Sequence, residues 1–363
     1  MNYELLSTYP SVYAVGEEYQ ICALVKSECT MWVEVAGKCY YDHSNGILRS
    51  GKFLHIARVP MSALDGAGKY TVNLRKINER KPYYTDFGDV ESAEFDFRPL
   101  RKKDEYHIVN IADAHSLVEE PIRSGSYFGD DTDLVILNGD IPNHSGDIEY
   151  FKAIYLISGG VSKGKVPCIF SRGNHDMRGI YAEQLADYTP TDNGKSYYTF
   201  RLGPVWGVVL DVGEDKVDSC PEYGHTVCCE AFRDEEDAFI DRMIADGKYK
   251  DAEVRLIISH HPFMHKIRPP FDIEQERYAA WAKKLKEINP TIMLSGHLHE
   301  LFVERPGGPH DTFGFPCPII CTSLQNCDPA YHCCGAVTLT EKGIDVVYHD
   351  SNDEIKGEVK LDF

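Results

Sequence analysis

No stretch of this sequence is apolar for long enough to cross a bilayer, and none shows an internal repeat or a low-complexity tract. Positive charge is in deficit: 38 Lys+Arg stand against 57 Asp+Glu, a net charge of −19. Such a field repels phosphate backbones and anionic lipid, which argues against a nucleic-acid groove or a membrane surface as the main partner. A small anionic substrate stays open, because bound cations reverse the local potential. The first residues, Met1 to Pro10, carry no basic segment followed by an apolar one, so a secretory signal is not expected and a cytoplasmic protein is. The 12 cysteines lack zinc-ribbon spacing: Cys228-Cys229 and Cys333-Cys334 are adjacent, while Cys168 and Cys321 sit inside apolar runs. They read as reduced thiols.

What is present is an ordinary soluble balance, 43% hydrophobic and 26% charged over 363 residues, enough for two domains. Residues 1–100 carry short alternating runs (Tyr19–Val25, Met31–Val35, Phe53–Ala57, Lys69–Leu74) divided by Gly/Asn/Asp/Ser clusters. The pattern predicts an all-β sandwich of immunoglobulin or fibronectin type, with the charged stretch Arg101–Glu105 as linker. Over 104–363 the pattern turns to strands alternating with helices. Strands are expected at His107–Ala112, Leu134–Leu137, Val166–Phe170, Tyr197–Leu202, Val205–Asp211, Val254–Ser259 and Thr291–Ser295. Three more are expected at Pro318–Thr322, Ala336–Thr340 and Ile344–Tyr348. Helices are expected at Asp147–Ser158, at Asp234–Ile244 with Asp234 as cap, and at Glu276–Ile288. The fold class is α/β, with two packed sheets flanked by helices.

Five of these strands end in groups that carry chemistry, where open α/β sheets gather their sites. The ends read Asp113-Ala114-His115, Gly139-Asp140, Gly173-Asn174-His175-Asp176, His260-His261-Pro262 and Gly296-His297-Leu298-His299. Side chains two apart in extended chain face one way, so Asp113 with His115 can grip one cation from one side, and His297 with His299 are again two imidazoles at period two. A carboxylate after a glycine turn, Asp140, can bridge two metals through its two oxygens. Taken singly, each motif is an ordinary turn or core pair. All five in order point to a dinuclear metal site.

This ordered set, from Tyr106 to Leu301, resembles the calcineurin-like metallophosphoesterase superfamily, whose pattern runs D-x-H, G-D, G-N-H-[DE], H, G-H-x-H. The resemblance implies one metal on Asp113, His115, Asp140 and His299, and another on Asp140, Asn174, His260 and His297. His260 is taken over His261 because the family's fourth element reads H-x-P, and because a strand presents one of two adjacent side chains to a face. The family further implies that His175 protonates the leaving oxygen, that Asp176 holds its ring, and that a hydroxide between the metals attacks phosphorus in line. Mixed N/O donors suit Mn, Fe or Zn. A β-sandwich before the catalytic domain is similar to the layout of purple acid phosphatases. Those enzymes carry G-D-x-x-Y, where this chain has Gly139-Asp140-Ile141-Pro142-Asn143, so the site is more like that of phosphodiesterase-type members.

The expected substrate is a small or medium soluble phosphate mono- or diester. A nuclease or protein phosphatase on the same site is the alternative enzyme. A non-catalytic metal-binding module is the alternative of another class, and the full ligand set argues against it. Asn143, His144, Arg178, Tyr223, His225 and His265 are further candidates for substrate contact. The polar loop from Asp211 to His225 is expected to rim the pocket.

Overall fold

The computed structural model describes residues 3–264, 275–322 and 330–363. Two large sheets stack face to face. The first has nine strands in the order Ile355–Asp362, Gly343–Asp350, Cys333–Thr340, Glu105–Ile111, Leu134–Asn138, Pro167–Ser171, Ser11–Val15, Glu18–Leu24 and Leu54–Pro60. Glu105–Ile111, Leu134–Asn138, Pro167–Ser171 and Ser11–Val15 run parallel, and their neighbours on both sides are antiparallel. The second has six strands, Tyr198–Leu202, Val205–Leu210, Val254–Ser259, Ile292–Ser295, Ile319–Cys321 and Phe302–Glu304, with the middle four parallel.

Period-two alternation decides the layers. Ile108, Leu134, Ile136 and Ile169 face the second sheet's Val209, Leu256, Ile258 and Leu294 in one continuous core. Their neighbours Val109, Val135, Leu137 and Phe170 face the other way, onto the helix Lys152–Ser162. On the far side, Trp206, Ile257 and Met293 pack on the helices Cys229–Asp246 and Gln275–Leu285 through Ile240, Met243, Tyr278 and Trp281. The result is helix, sheet, sheet, helix. Because the central strands are covered on both faces, they read as unbroken apolar runs.

The expected self-contained sandwich over 1–100 is corrected. Ser11–Val15 pairs directly with Pro167–Ser171, placing Val12 beside Pro167 and Tyr13 beside Cys168. The segment therefore extends the nine-stranded sheet by three strands. Its remaining long strands form a separate four-stranded sheet, Lys38–Tyr41, Cys29–Val35, Lys69–Arg80 and Thr85–Asp96. Met31, Val33, Val72 and Phe95 of that sheet join the same core as Val12, Ile21 and Ala57. The sandwich exists, but one of its two sheets is the end of the nine-stranded sheet. The physical reason is burial: Ser11–Val15 is covered along its whole length, which an edge strand cannot be.

A smaller correction concerns the helix Cys229–Asp246, which begins a turn and more before Asp234. Its first N–H groups are capped instead from the preceding loop, where Asp218 accepts from Cys229 N at 2.9 Å and Glu230 N at 3.2 Å. Among the described residues no helix is long and apolar enough to cross a membrane, and the described cysteines are free thiols.

Candidate metal centre

The five expected strand ends meet at one edge of the two sheets. Main-chain bonds lace them together: Asp113 N donates to Gly139 O at 3.0 Å, His115 N to Asp140 O at 2.9 Å, and Gly296 N to His260 O at 2.9 Å. Asp113, His115, Asp140, His297 and His299 all hold φ between 44° and 70°. Each such non-glycine residue costs on the order of 1–3 kcal/mol, so a cluster of them marks a site shaped for something other than stability. Glycine makes the close approach possible at Gly173, where a Cβ would stand 2.2 Å from Asp140 Oδ1.

The donor atoms fall into interlocking groups. Asp113, His115 and His299 form one; Asp113, Asp140 and His260 a second; His115, Asp140 and His175 a third; His260, His261 and His297 a fourth. Asp113 Oδ1 is 3.2 Å from His299 Nε2. His115 Nε2 is 3.2 Å from His299 Nε2. Asp140 Oδ2 is 3.2 Å from His260 Nε2. Asn174 Oδ1 is 3.1 Å from His297 Nδ1 and 3.3 Å from His261 Nε2. Two donors on one cation at about 2.0–2.1 Å stand about 2.8–3.4 Å apart for octahedral to tetrahedral angles. The observed spacings fall within that range. Asp113 Oδ1 and His260 Nε2 are buried, and the ion pairs they make at 3.2 Å lack hydrogen-bond geometry, which leaves both atoms able to face a metal.

Electrostatics agree. Burial pushes the Asp140 carboxyl up, but His260, His175 and His115 outweigh it and hold it well below the usual carboxylate range. Asp113 is lowered in the same way, burial being overcome by His260 and His299. Burial alone would lower His260; Asp140 and Asp113 instead push it up to about 10. Burial lowers His115 to about 4. Buried carboxylates kept ionised by imidazoles are a cation site in which a proton stands where a metal would bind.

The alternation argument for His260 over His261 does not hold. Both residues lie past the last strand residue, Ser259, where period two has ended. His260 Nε2 faces Asp140, His261 Nε2 faces Asn174, and both rings offer a nitrogen near His297.

Asp176 is also not where it was expected. Its Oδ2 accepts the Gly173 N–H at 2.7 Å, so it closes the loop in front of Asn174. Burial and the nearby Asp140 raise its pKa well above the usual range. His175 is held by the main-chain carbonyl of Asn143, 2.9 Å from Nδ1, and its Nε2 lies 3.4 Å from Arg178 Nη1. Arg178 is gripped by both oxygens of Glu214, at 2.8 and 2.9 Å. The loop from Asp211 thus reaches the site through Arg178. Tyr223 is buried and donates to Asp215 at 2.9 Å. His144 accepts from Gly146 N in a turn, and His225 is exposed. His265 lies outside the described residues.

Sequence reasoning missed the support beneath the site. Asn138 O sits 2.6 Å from His260 Nδ1 and fixes that ring. Asn138 Nδ2 donates to Leu294 O at 2.9 Å and to Asn110 Oδ1 at 3.2 Å, while Asn110 Nδ2 donates to Ser295 O at 3.1 Å. These two buried amides pin one sheet to the other directly below the donors. The available signal was an asparagine inside each of two otherwise apolar strands.

The sequence model of the calcineurin-like phosphoesterases matches residues 106–301, more than half of the chain. The chain belongs to that family. No curated protein matches it in sequence. A purple acid phosphatase from yellow lupin (Lupinus luteus) seeds superposes with a TM-score of 0.65 at 12% identity, covering 98% of this chain and 74% of that one. A structure of PhoD gives 0.56 at 11% identity, covering 100% of this chain and 90% of that one. At such identities the likeness is one of fold. It includes the N-terminal strands, since nearly the whole chain is covered in both.

Proposed function

We propose that this family member hydrolyses phosphate mono- or diesters of small or medium soluble molecules with two bound metal ions. The observation that carries the reading is the donor set built around the buried Asp113, Asp140 and His260, in which Asp140 belongs to two of the interlocking groups at once. Asp113, His115, Asp140 and His299 would hold one ion, and Asp140, Asn174, His260 and His297 the other. Bound there, the ions supply Lewis acidity for the phosphoryl oxygens and lower the pKa of water. The mixture of imidazole, carboxylate and amide donors fits Mn, Fe or Zn.

The remaining work falls to the chain itself. His175 is the donor of a proton to the departing oxygen: its side chain is 31% exposed and its Nε2 is 4.0 Å from Asp140 Oδ2, so the ring borders both the site and solvent. The Asn143 carbonyl and Arg178 aim that ring. The net charge of −19 supports a small substrate over a nucleic acid. The test is hydrolysis by purified protein with added Mn²⁺, comparing a nitrophenyl monoester, a bis-nitrophenyl diester and cyclic nucleotides. No metal-stimulated hydrolysis of any of them would overturn the reading.

A further inference from the structure

We infer that His261 is an additional ligand of the second metal ion, on the Asn174 and His297 side. The inference rests on the metal-site reading above and extends it. His261 Nε2 lies 3.3 Å from Asn174 Oδ1, the same kind of spacing that separates Asn174 Oδ1 from His297 Nδ1 at 3.1 Å. Its ring centroid is 3.9 Å from that of His297, and a ring nitrogen of His261 is grouped with those of His260 and His297 within 4.8 Å. Donor pairs on one cation stand about 2.8–3.4 Å apart when each is about 2.0–2.1 Å from it. By that measure His261 meets the Asn174 oxygen as closely as a ligand does.

The other side of the ring agrees. A metal-ligating imidazole sends its free N–H to an oxygen that fixes its orientation. His260 has such a partner in Asn138 O, 2.6 Å from Nδ1. His261 has the Tyr278 hydroxyl, 3.4 Å from its Nδ1, on the buried face of the helix Gln275–Leu285. Nε2 toward the donors and Nδ1 toward an oxygen is the two-sided placement of a ligand. His261 is itself only 3% exposed, so its ring is committed to this environment. A third imidazole at this ion shifts its preference toward metals that favour nitrogen donors, such as Zn over Mn.

Stripped protein titrated with Co²⁺ tests the proposal without turnover. The wild-type chain is expected to take two ions. His261→Ala should weaken one of them by 10-fold or more, leave the other unchanged, and alter the Co²⁺ visible band as that ion loses a nitrogen donor. His261→Gln, with a longer polar side chain, is the second variant should the alanine form not fold, and the same one-ion loss is expected. Tyr278→Phe should weaken the same ion by less. Wild-type affinity for both ions with an unchanged spectrum in a folded His261 variant would overturn the proposal. Asp140→Asn separates the two readings: if it too keeps both ions, the metal centre as a whole is wrong, whereas loss there with none at His261 sinks only the present inference.

Discussion

Oδ2 of Asp140 faces Nε2 of His260 across 3.2 Å, with neither side chain more than 2% exposed. A buried carboxylate and a buried imidazole so placed share either a proton or a metal ion. The other oxygen of Asp140 accepts the main-chain N–H of His175 at 2.8 Å, which keeps the carboxylate from turning. Asp140→Asn removes the charge and makes one of the two atoms a donor. Outer partners of metal ligands are typically worth about 10–100-fold in affinity, and the loss here should exceed that. Metal analysis of the purified variant, with a parallel assay of hydrolysis, checks it.

His175 and Asp176 should separate in their effects. His175→Ala should leave metal content near normal and cost about 10²–10⁴-fold on an alkyl phosphate ester. It should cost far less on the nitrophenyl counterpart, whose leaving group is stable without a proton. Asp176 touches Gly173 N and not the imidazole. Asp176→Asn should therefore loosen the Asn174 loop and lower metal affinity, with no change in the ratio between the two substrates. A leaving-group effect from Asp176→Asn matching that of His175→Ala would contradict this placement.

The buried amide of Asn138 donates to Leu294 O and Asn110 Oδ1, one bond to each sheet. Asn138→Ala strands both acceptors in a dry interior, at about 1–3 kcal/mol for each unmet group. Urea denaturation should show the variant destabilised by about 2–6 kcal/mol with its slope unchanged, since the surface exposed on unfolding is the same. A stability within experimental error of wild type would mean that the sheets do not depend on this link.

The proposed metal donors were legible in the sequence because each group follows within a few residues of its own strand: apolar run, then candidate ligand, is a local pattern. The flanking helices were legible by period. What the pattern cannot carry is pairing between distant segments. Nothing local in Ser11–Val15 says that its neighbour is Pro167–Ser171. The same holds for Arg178, whose grip by Glu214 joins two loops 36 residues apart. His261 was set aside for a different reason: the family's fourth element reads H-x-P, and the strand rule was carried past the last strand residue, Ser259.

That pairing has a consequence for the N-terminal hundred residues. A chain starting at Lys103 keeps every proposed metal donor but loses the strand beside Pro167–Ser171. It would expose a parallel edge of buried residues, Cys168, Ile169 and Phe170 among them, together with the core face that Val12 and Ile21 cover. Such an edge is a template for aggregation. The truncated chain should be found in the insoluble fraction, and size-exclusion chromatography of any soluble part should show aggregates. A monomeric, metal-binding product would show the N-terminal strands to be dispensable.

Glu236 offers a pH test away from the metals. It is fully buried on the helix Cys229–Asp246, where Oε1 accepts the Asp211 N–H at 2.7 Å and Oε2 has no partner. Burial, and next the charge of Asp211, push its pKa well above the usual carboxylate range. Below the unfolded value, about 4.3 for a glutamate, both states hold the proton. As pH rises past it, the unfolded chain releases the proton and the folded one resists, so stability contributed by the protonated group is lost until the folded pKa is passed. Glu236→Gln keeps an acceptor for Asp211 N and has no proton to lose. The stability of the variant minus that of wild type should therefore be smallest near pH 4, widen in the variant's favour as pH rises, and then level off. Taking the difference cancels the titration of the metal ligands, which both proteins share. Urea melts at a series of pH values measure it, and a gap that stays constant or narrows with rising pH would show that Glu236 is ionised in the fold.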